Sequence, residues 1–218
     1  MIFSSPELAA LNSISGGGSL AGIRLAVPHF DKQKELWASV NESLKQKNIV
    51  GEDGHLTQLG MIPVRVVEMY RTAQKYAFLG NTRVSLNGDS SVTVISPVDK
   101  GWQVIRTAKE VLMVSLLEKF PFLCGGSAPT EHPRQWEPMP YETWVDSVAE
   151  SGPENLLVAN SCLRGGVPTD LMAYGLSSGK GYEYNMSRAR GRQTSVRDIR
   201  VTVAALIGIE GSDLDVID

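Results

Sequence analysis

Five arginines near the C-terminal end are the side chains best suited to bind an anion: Arg188, Arg190, Arg192, Arg197 and Arg200. Guanidinium groups form bidentate hydrogen bonds with phosphates and carboxylates. Because side chains alternate across a strand, Arg188, Arg190 and Arg192 would share one strand face and could contact an acidic partner. The alternative is a solvated strand edge whose charge prevents edge-to-edge pairing. We favour this alternative because no aromatic side chain for stacking is evident around the arginines.

The remaining reactive residue types do not form a known catalytic or metal-binding pattern. The chain contains neither an HExxH nor a GxSxG sequence. Residues 175–181 (GLSSGKG) resemble a phosphate-binding loop, but only three residues separate the glycines and Gly181 replaces the Ser or Thr that would bind magnesium. Metal-ligand spacing is also missing from the histidines and cysteines, which are His29, His55, His132, Cys124 and Cys162. We therefore predict no catalytic residue, no metal and no cofactor, and a protein that is not an enzyme.

Composition limits the possible classes of protein. The chain has 218 residues, of which 42% are hydrophobic and 21% charged, values typical of a globular protein with a substantial core. A net charge of −3 gives no overall attraction to nucleic acid or to anionic membranes. The longest fully apolar run near the C-terminus, residues 203–209, is too short to cross a bilayer. We expect a cytoplasmic protein that does not insert directly into a membrane and does not bind nucleic acid.

Three helices are predicted in the first 73 residues, and they would position any site in this half. Ser4 and Glu7 have capping-box spacing at the start of the first helix, and three glycines from Gly16 end it. Asp31 would cap a second helix. Pro63 requires the third helix to begin close to residues 60–61. The two later helices carry apolar residues at helical spacing: Leu36, Val40 and Leu44, then Ile62, Val66, Met69 and Ala73.

The segment LKQKNIVGEDGHLTQLG, residues 44–60, joins the second and third helices. Its pattern of helix, short apolar segment, turn and helix also occurs in winged-helix DNA-binding proteins. Such proteins place a basic recognition helix in the major groove, whereas the helix after this turn has only Arg65 and Arg71, offset by Glu68. We therefore interpret the segment as a structural joint, with residues 49–50 buried and residues 52–53 exposed.

The rest of the chain predicts strands followed by helices, twice. Alternating apolar residues on either side of Asn87-Gly88 predict a β-hairpin, and residues 102–105 a further strand. Helices are predicted at 108–116, 141–148, 154–163 and 196–206, the last capped by Ser195, with a strand at 182–186. This order is typical of an α+β fold rather than of βαβ repeats. The Pro/Gly-rich segment 121–140 would join two halves, 1–120 and 141–210, as a weak internal duplication.

Residues 5–123 resemble the EspG-like family of type VII (ESX) secretion chaperones. The resemblance lies in PELAAL with its glycine break, SLAGIRLAVP, LKQKNIVGEDGHLT, MIPVRVVEMYRTAQKYAFLG, the strand hairpin and VLMVSLLEKFPFL. The family's helix, Leu, glycine-bearing turn and new helix are similar to residues 44–59, and its closing helix is similar to residues 116–123. A looser similarity covers residues 182–209.

The resemblance implies a single EspG-like α+β domain over residues 1–218, in which helical bundles flank an antiparallel sheet with pseudo-twofold character. It implies a non-enzymatic cytoplasmic chaperone that binds a helical secretion substrate and keeps it soluble for export. A homodimer is also compatible with it. A winged-helix regulator that binds nucleic acid is the alternative.

The resemblance also implies where the substrate would bind. In the family a loop between sheet strands contacts the substrate, and its nearest counterpart here is Asn87, Gly88, Asp89, Ser90 and Ser91. The alternative for these residues is a plain type I′ turn. In a chaperone, Arg188, Arg190 and Arg192 would form a polar rim that steers the partner during encounter.

Overall fold

The computed structural model describes residues 1–26, 33–88, 90–125, 135–148, 152 and 155–210. The chain packs as two units, one formed by Met1–Tyr76 with Asn81–Thr107 and the other by Ala77–Gly80 with Ala108–Asp218. Six α-helices and ten strands lie in the described part, and the strands pair antiparallel. This confirms the predicted α+β class. The predicted single domain with halves at 1–120 and 141–210 stays a prediction, and residues 126–134 of the Pro/Gly-rich segment lie outside the described residues.

The α-helices are α1 (Ser5–Ile14), α2 (Gln33–Gln46), α3 (Gln58–Thr72), α4 (Lys109–Lys119), α5 (Tyr141–Val148) and α6 (Val196–Leu206). The strands are β1 (Ile2–Phe3), β2 (Lys75–Leu79), β3 (Thr82–Leu86), β4 (Ser91–Val98), β5 (Gly101–Ala108), β6 (Glu137–Pro138), β7 (Leu156–Leu163), β8 (Met172–Ser177), β9 (Lys180–Asn185) and β10 (Arg190–Thr194). A short 3₁₀ helix, Pro121–Cys124, follows α4. No α-helix in the described ranges combines the length and apolar content needed to cross a membrane.

The first unit combines a helical layer with the strands β1-β5-β4-β3, in that order. The predicted capping box starts α1: Ser4 Oγ accepts from Glu7 N, and the Glu7 carboxylate accepts from Ser4 N at 2.6 Å. Helix α1 packs on α2 and α3, and α3 also packs on β3 and β4. The predicted cap of α2, Asp31, lies outside the described residues.

The joint between α2 and α3 has the predicted structure. Ile49 and Val50 are buried, whereas Glu52 and Asp53 are exposed. Gly60 lies so close to this segment that an added Cβ would be 2.0 Å from the Ile49 carbonyl oxygen.

The predicted start of α3 was wrong, because the side chain of Thr57 accepts from Gly60 N and caps a helix that begins at Gln58. Pro63 therefore lies inside the helix and cannot donate a hydrogen bond to the Leu59 carbonyl.

The second unit contains the end of β2, from Ala77, followed in the sheet by β7-β8-β9-β10-β6. Helix α5 packs on β8, and the Trp144 indole stacks on the Tyr184 ring with centroids 5.5 Å apart. Helix α6 packs on β7, β9 and the 3₁₀ helix. Its predicted cap is present, since Ser195 Oγ accepts from Asp198 N at 3.0 Å. The predicted helix at 154–163 was wrong: residues 156–163 form β7, which pairs with β8.

The predicted β-hairpin around Asn87-Gly88 is present, but its turn is longer than a type I′ turn. Leu86 pairs with Val92, so five residues separate the paired positions and Asn87-Gly88 is not a two-residue type I′ turn. Residues 175–181, which we distinguished from a phosphate-binding loop, contain a tight hairpin turn. Ser177 pairs with Lys180, and the two residues between them, Ser178 and Gly179, both have positive φ, at 50° and 74°. This backbone is typical of a type I′ turn.

Candidate protein-binding site

The predicted loop at 87–91 lies at the end of the β3–β4 hairpin in the first unit. Asn87, Gly88 and Ser90 are exposed, and Asn87 Nδ2 donates to the Met69 carbonyl at 3.3 Å. Ser91 begins β4 and its hydroxyl accepts a hydrogen bond from Arg106 Nε at 2.9 Å. Asp89 lies outside the described residues. The exposed part of the loop is therefore small, and its role in binding stays a prediction.

The three arginines of the predicted stripe do not share one strand. Arg188 lies in the turn before β10, where its Nε contacts Asp170 Oδ2 at 2.7 Å. Arg190 and Arg192 lie on β10, and Arg190 donates to the carbonyl of Trp136 at 2.8 Å. Each of the three thus has a partner within the second unit.

Arg192 has the most buried environment of these arginines. Its Nε donates to the carboxylate of Glu183, whose side chain is only 4% exposed. Its guanidinium lies 4.7 Å from the centroid of the Trp136 ring, a cation–π contact. The expectation that no aromatic side chain lies near the arginines was therefore wrong. The two residues of β6 also cover part of β10, at Arg190 and Gly191.

An open groove along α2 in the first unit is the larger candidate site, and sequence patterns did not predict it. On one side it is lined by four residues from one face of α2 and by Lys47, which directly follows the helix: Leu36, Ser39, Val40, Ser43 and Lys47. These residues span about 16 Å at the α-helical rise. Residues from β1, the start of α1 and the β4–β5 turn line the other side: Ile2, Ser4, Pro6, Glu7 and Lys100. The cavity volume is about 510 Å³. We call this feature the α2 groove.

The base of the α2 groove is a buried carboxylate with several donors. Lys47 Nζ lies 2.7 Å from both carboxylate oxygens of Glu7, and Ser43 Oγ donates to one of them at 2.7 Å. Lys47 Nζ also donates to the Ile2 carbonyl at 3.1 Å. Burial alone would raise the pKa of Glu7, but the hydrogen bonds from Lys47, Ser4 and Ser43 outweigh it and hold that pKa below its ordinary 4.5. The carboxylate stays ionised and links α1, α2 and β1.

The rim of the α2 groove is apolar with one cation. Ile2 is 47% exposed although it is a large aliphatic side chain. Ile2 and Lys100 also line a second cavity, of about 420 Å³, together with Val98 and Asp99. Lys100 forms no ion pair with any residue that the structure describes. The groove therefore offers apolar contact area, serine hydroxyls and a positive charge.

The sequence contained a signal for this groove that hydrophobic periodicity did not capture. Leu36, Val40 and Leu44 predict a buried helical stripe, yet Ser39 and Ser43 lie beside it at a spacing of four. Small polar residues next to an apolar stripe are typical of a helix face that another element does not fully cover. Recognising the groove also required knowing that β1 and the β4–β5 turn lie opposite.

The described residues do not bring together a metal-binding or nucleophilic centre. No group of three or more His, Cys, Asp or Glu side chains within the described ranges could hold a metal ion. Burial raises the pKa of the Cys162 thiol, which keeps it protonated and weakly nucleophilic. What the described geometry provides is an open groove suited to binding.

Fold and site together define a two-unit α+β protein with antiparallel strands and a binding groove in its first unit. The family model described as "Domain of unknown function (DUF5081)" matches residues 1–157, and the chain belongs to this family. The match includes all residues of the α2 groove. A search of the curated proteins found no significant match.

Proposed function

We propose that this protein is a non-enzymatic cytoplasmic chaperone, which binds a helical protein substrate of a type VII secretion system and keeps it soluble for export. The resemblance of residues 5–123 to EspG-like chaperones supports the proposal. The observation that carries it is the α2 groove, an open surface where Ile2 is exposed, Leu36 is half-buried and the buried Val40 forms part of the wall. Exposed apolar surface of this kind is typical of a protein that binds another protein.

The polar groups of the α2 groove suit binding better than catalysis. The Glu7 carboxylate is ionised and already accepts hydrogen bonds from Lys47, Ser43 and Ser4, so it has little capacity to accept a proton from a substrate. Lys47 is held by the same ion pair. These interactions fix the shape of the groove.

The nucleic-acid alternative is weaker because of the composition of α3, which would be its recognition helix. The exposed residues at the start of α3 include Leu59, Met61 and Ile62, and these side chains cannot pair with phosphates. Exposed apolar side chains on this helix favour a protein partner.

Affinity purification from the native host tests the proposal. A tagged full-length chain should retain a small helical secretion substrate, and co-expression of the two should increase the soluble fraction of that substrate. A tagged unrelated protein is the control. Retention of no such substrate would contradict the proposal. Binding to duplex DNA that weakens steeply with added salt would instead support the regulator.

A further inference from the structure

We infer that the α2 groove is the docking site for an amphipathic helix of the partner. The apolar face of this helix packs on the exposed Ile2 and the half-buried Leu36, and its acidic side chain contacts Lys100. The inference rests on the proposed function and specifies the surface and the partner chemistry. Neither the family match nor the sequence patterns assign a role to this groove.

The shape of the groove favours a helix. The lining residues of α2, together with Lys47 directly after it, recur at intervals of three and four, so they form one face about three turns long. A partner helix that lies along this face would present its own residues i, i+3, i+4 and i+7 to it, as in other helix-in-groove complexes. Ser39 and Ser43 are small, which allows the two helix backbones to approach closely.

The charges of the groove favour an acidic partner. Lys47 is paired with Glu7, and these two charges cancel. Among the described lining residues, Lys100 is the charged side chain that no salt bridge pairs, and its neighbour Asp99 lines the adjoining cavity rather than the groove. Lys100 lies in the β4–β5 turn, opposite α2, where an aspartate or glutamate near one end of the bound helix would meet it. A positively charged partner would be repelled at the same place.

The rigidity of the base supports a preformed site. Six hydrogen bonds connect Glu7 and Lys47 with each other and with Ser4, Ser43 and Ile2. Since α1, α2 and β1 are all held by this network, the groove keeps its shape without a ligand. A preformed groove lowers the entropic cost of binding a helix.

A defined peptide probe tests the inference. The probe is a fluorescein-labelled, side-chain-stapled helix of about 14 residues, because shorter unstapled helices are marginal in water. It carries leucines at i, i+3, i+4 and i+7 and one glutamate a turn beyond. Fluorescence anisotropy should show saturable binding to the full chain. Ser39→Trp fills the groove and should weaken binding about tenfold or more, as expected for blocking a central contact.

Two matched controls separate a groove contact from a general effect. Ala38→Trp adds the same side chain on the opposite side of α2, since Ala38 is exposed and about 200° around the helix from Leu36. It should leave the affinity within about twofold. For the charge, Lys100→Glu should weaken binding of the glutamate probe. The same variant should bind a lysine-containing probe better than the unmodified chain does. This reversal measures the interaction between residue 100 and the charged residue of the probe.

Several outcomes would overturn the inference. They are failure of the unmodified chain to bind the probe, equal effects of the tryptophans at positions 38 and 39, and no reversal with the lysine probe. Purification from the native host distinguishes this failure from failure of the proposed function. If the unmodified, Ser39→Trp and Lys100→Glu chains all retain the secretion substrate, the function holds and the groove is not its site. If none retains a substrate, the function itself fails.

Discussion

At the scale of single residues, Glu7 is the side chain that connects the helices of the first unit. Its folded-state pKa lies below 4.5, so its ionised form stabilises the fold. We expect Glu7→Gln to lower the free energy of unfolding at pH 7 by roughly 1–3 kcal/mol, the usual range for a buried group that loses a charged hydrogen-bond partner. Because the folded-state pKa is lowered, this stabilisation is complete above pH 4.5 and is lost as the pH falls towards the folded-state value.

Urea unfolding of both proteins between pH 3 and pH 7 measures this effect. The difference in free energy of unfolding between the unmodified chain and Glu7→Gln should become smaller below about pH 4.5. Glu52→Gln is the control, since Glu52 pairs with Lys45 at 3.0 Å but its side chain is 91% exposed. An exposed pair contributes little. A constant difference for Glu7→Gln across the whole range would contradict the argument.

Arg188 and Arg192 provide a second comparison between single residues, because one ion pair is exposed and the other is not. Arg192→Ala leaves the buried Glu183 carboxylate without its cation and should destabilise the fold by roughly 1–3 kcal/mol. Arg188→Ala removes a pair whose arginine side chain is largely exposed and should change stability by less than about 1 kcal/mol. Thermal unfolding measures both. Equal losses of stability in the two variants would show that the burial of Glu183 does not determine the size of the effect.

Gly60 sets the distance between α3 and the joint that precedes it. An alanine Cβ at this position would lie 2.0 Å from the Ile49 carbonyl oxygen and 2.7 Å from its carbon, so the backbone would have to move. We expect Gly60→Ala to destabilise the protein by roughly 1–3 kcal/mol, even though alanine favours helices. Gln58→Ala, an exposed change in the same helical turn, is the control. Chemical denaturation measures the free energy of unfolding. Equal values for Gly60→Ala and the unmodified chain would contradict the close approach of Gly60 to the Ile49 carbonyl.

At the scale of elements, the two hairpin turns allow a direct test of turn chemistry. Ser178 has a φ of 50°, a conformation that asparagine tolerates better than serine. Ser178→Asn should therefore stabilise the β8–β9 hairpin by a few tenths to about 1 kcal/mol. Asn87→Ser in the β3–β4 loop should not stabilise the protein, because that loop does not use a two-residue turn and the substitution removes the hydrogen bond from Asn87 Nδ2 to the Met69 carbonyl. The thermal denaturation midpoint should therefore be higher for Ser178→Asn than for Asn87→Ser.

Local sequence signals predicted the elements whose ends are fixed by nearby side chains. The Ser4–Glu7 capping box and the Ser195 cap are interactions across three residues, and both are present. Strand β7 was missed because its inward positions include the small residues Ala159 and Ser161, which weaken the apolar alternation. Its identity depends on pairing with β8, and pairing between distant segments is not encoded by local propensity.

Local sequence patterns also could not predict the candidate site, because it is formed by residues that are distant in the sequence. The Glu7–Lys47 ion pair connects residues 40 positions apart, and Lys100 reaches the groove from the β4–β5 turn. Periodicity identified the buried face of α2 but could not show that the neighbouring face lines a groove. The partners of the arginines were missed for the same reason, since Trp136 and Glu183 reach Arg192 from other strands or their ends.

At the scale of the whole molecule, the first turn of α3 exposes an apolar patch, which we define as Leu59, Met61 and Ile62. Met61 is 59% and Ile62 60% exposed. Since exposed apolar clusters are typical of contact surfaces, we expect the isolated chain to self-associate through this patch as its concentration rises. The double substitution Met61→Glu/Ile62→Glu should abolish that association. It should change stability by less than about 1 kcal/mol, because both side chains are largely exposed.

Sedimentation velocity over a range of concentrations measures the association. Val111→Glu/Val114→Glu on α4 is the matched control, since both valines are exposed but lie in the second unit. The control should still self-associate, because the patch on α3 is intact. The α3 variant should also bind the helical probe normally, since none of the patch residues lines the α2 groove. If the control alone became monomeric, the contact surface would lie on α4, and the exposed residues of α3 would be available for another partner.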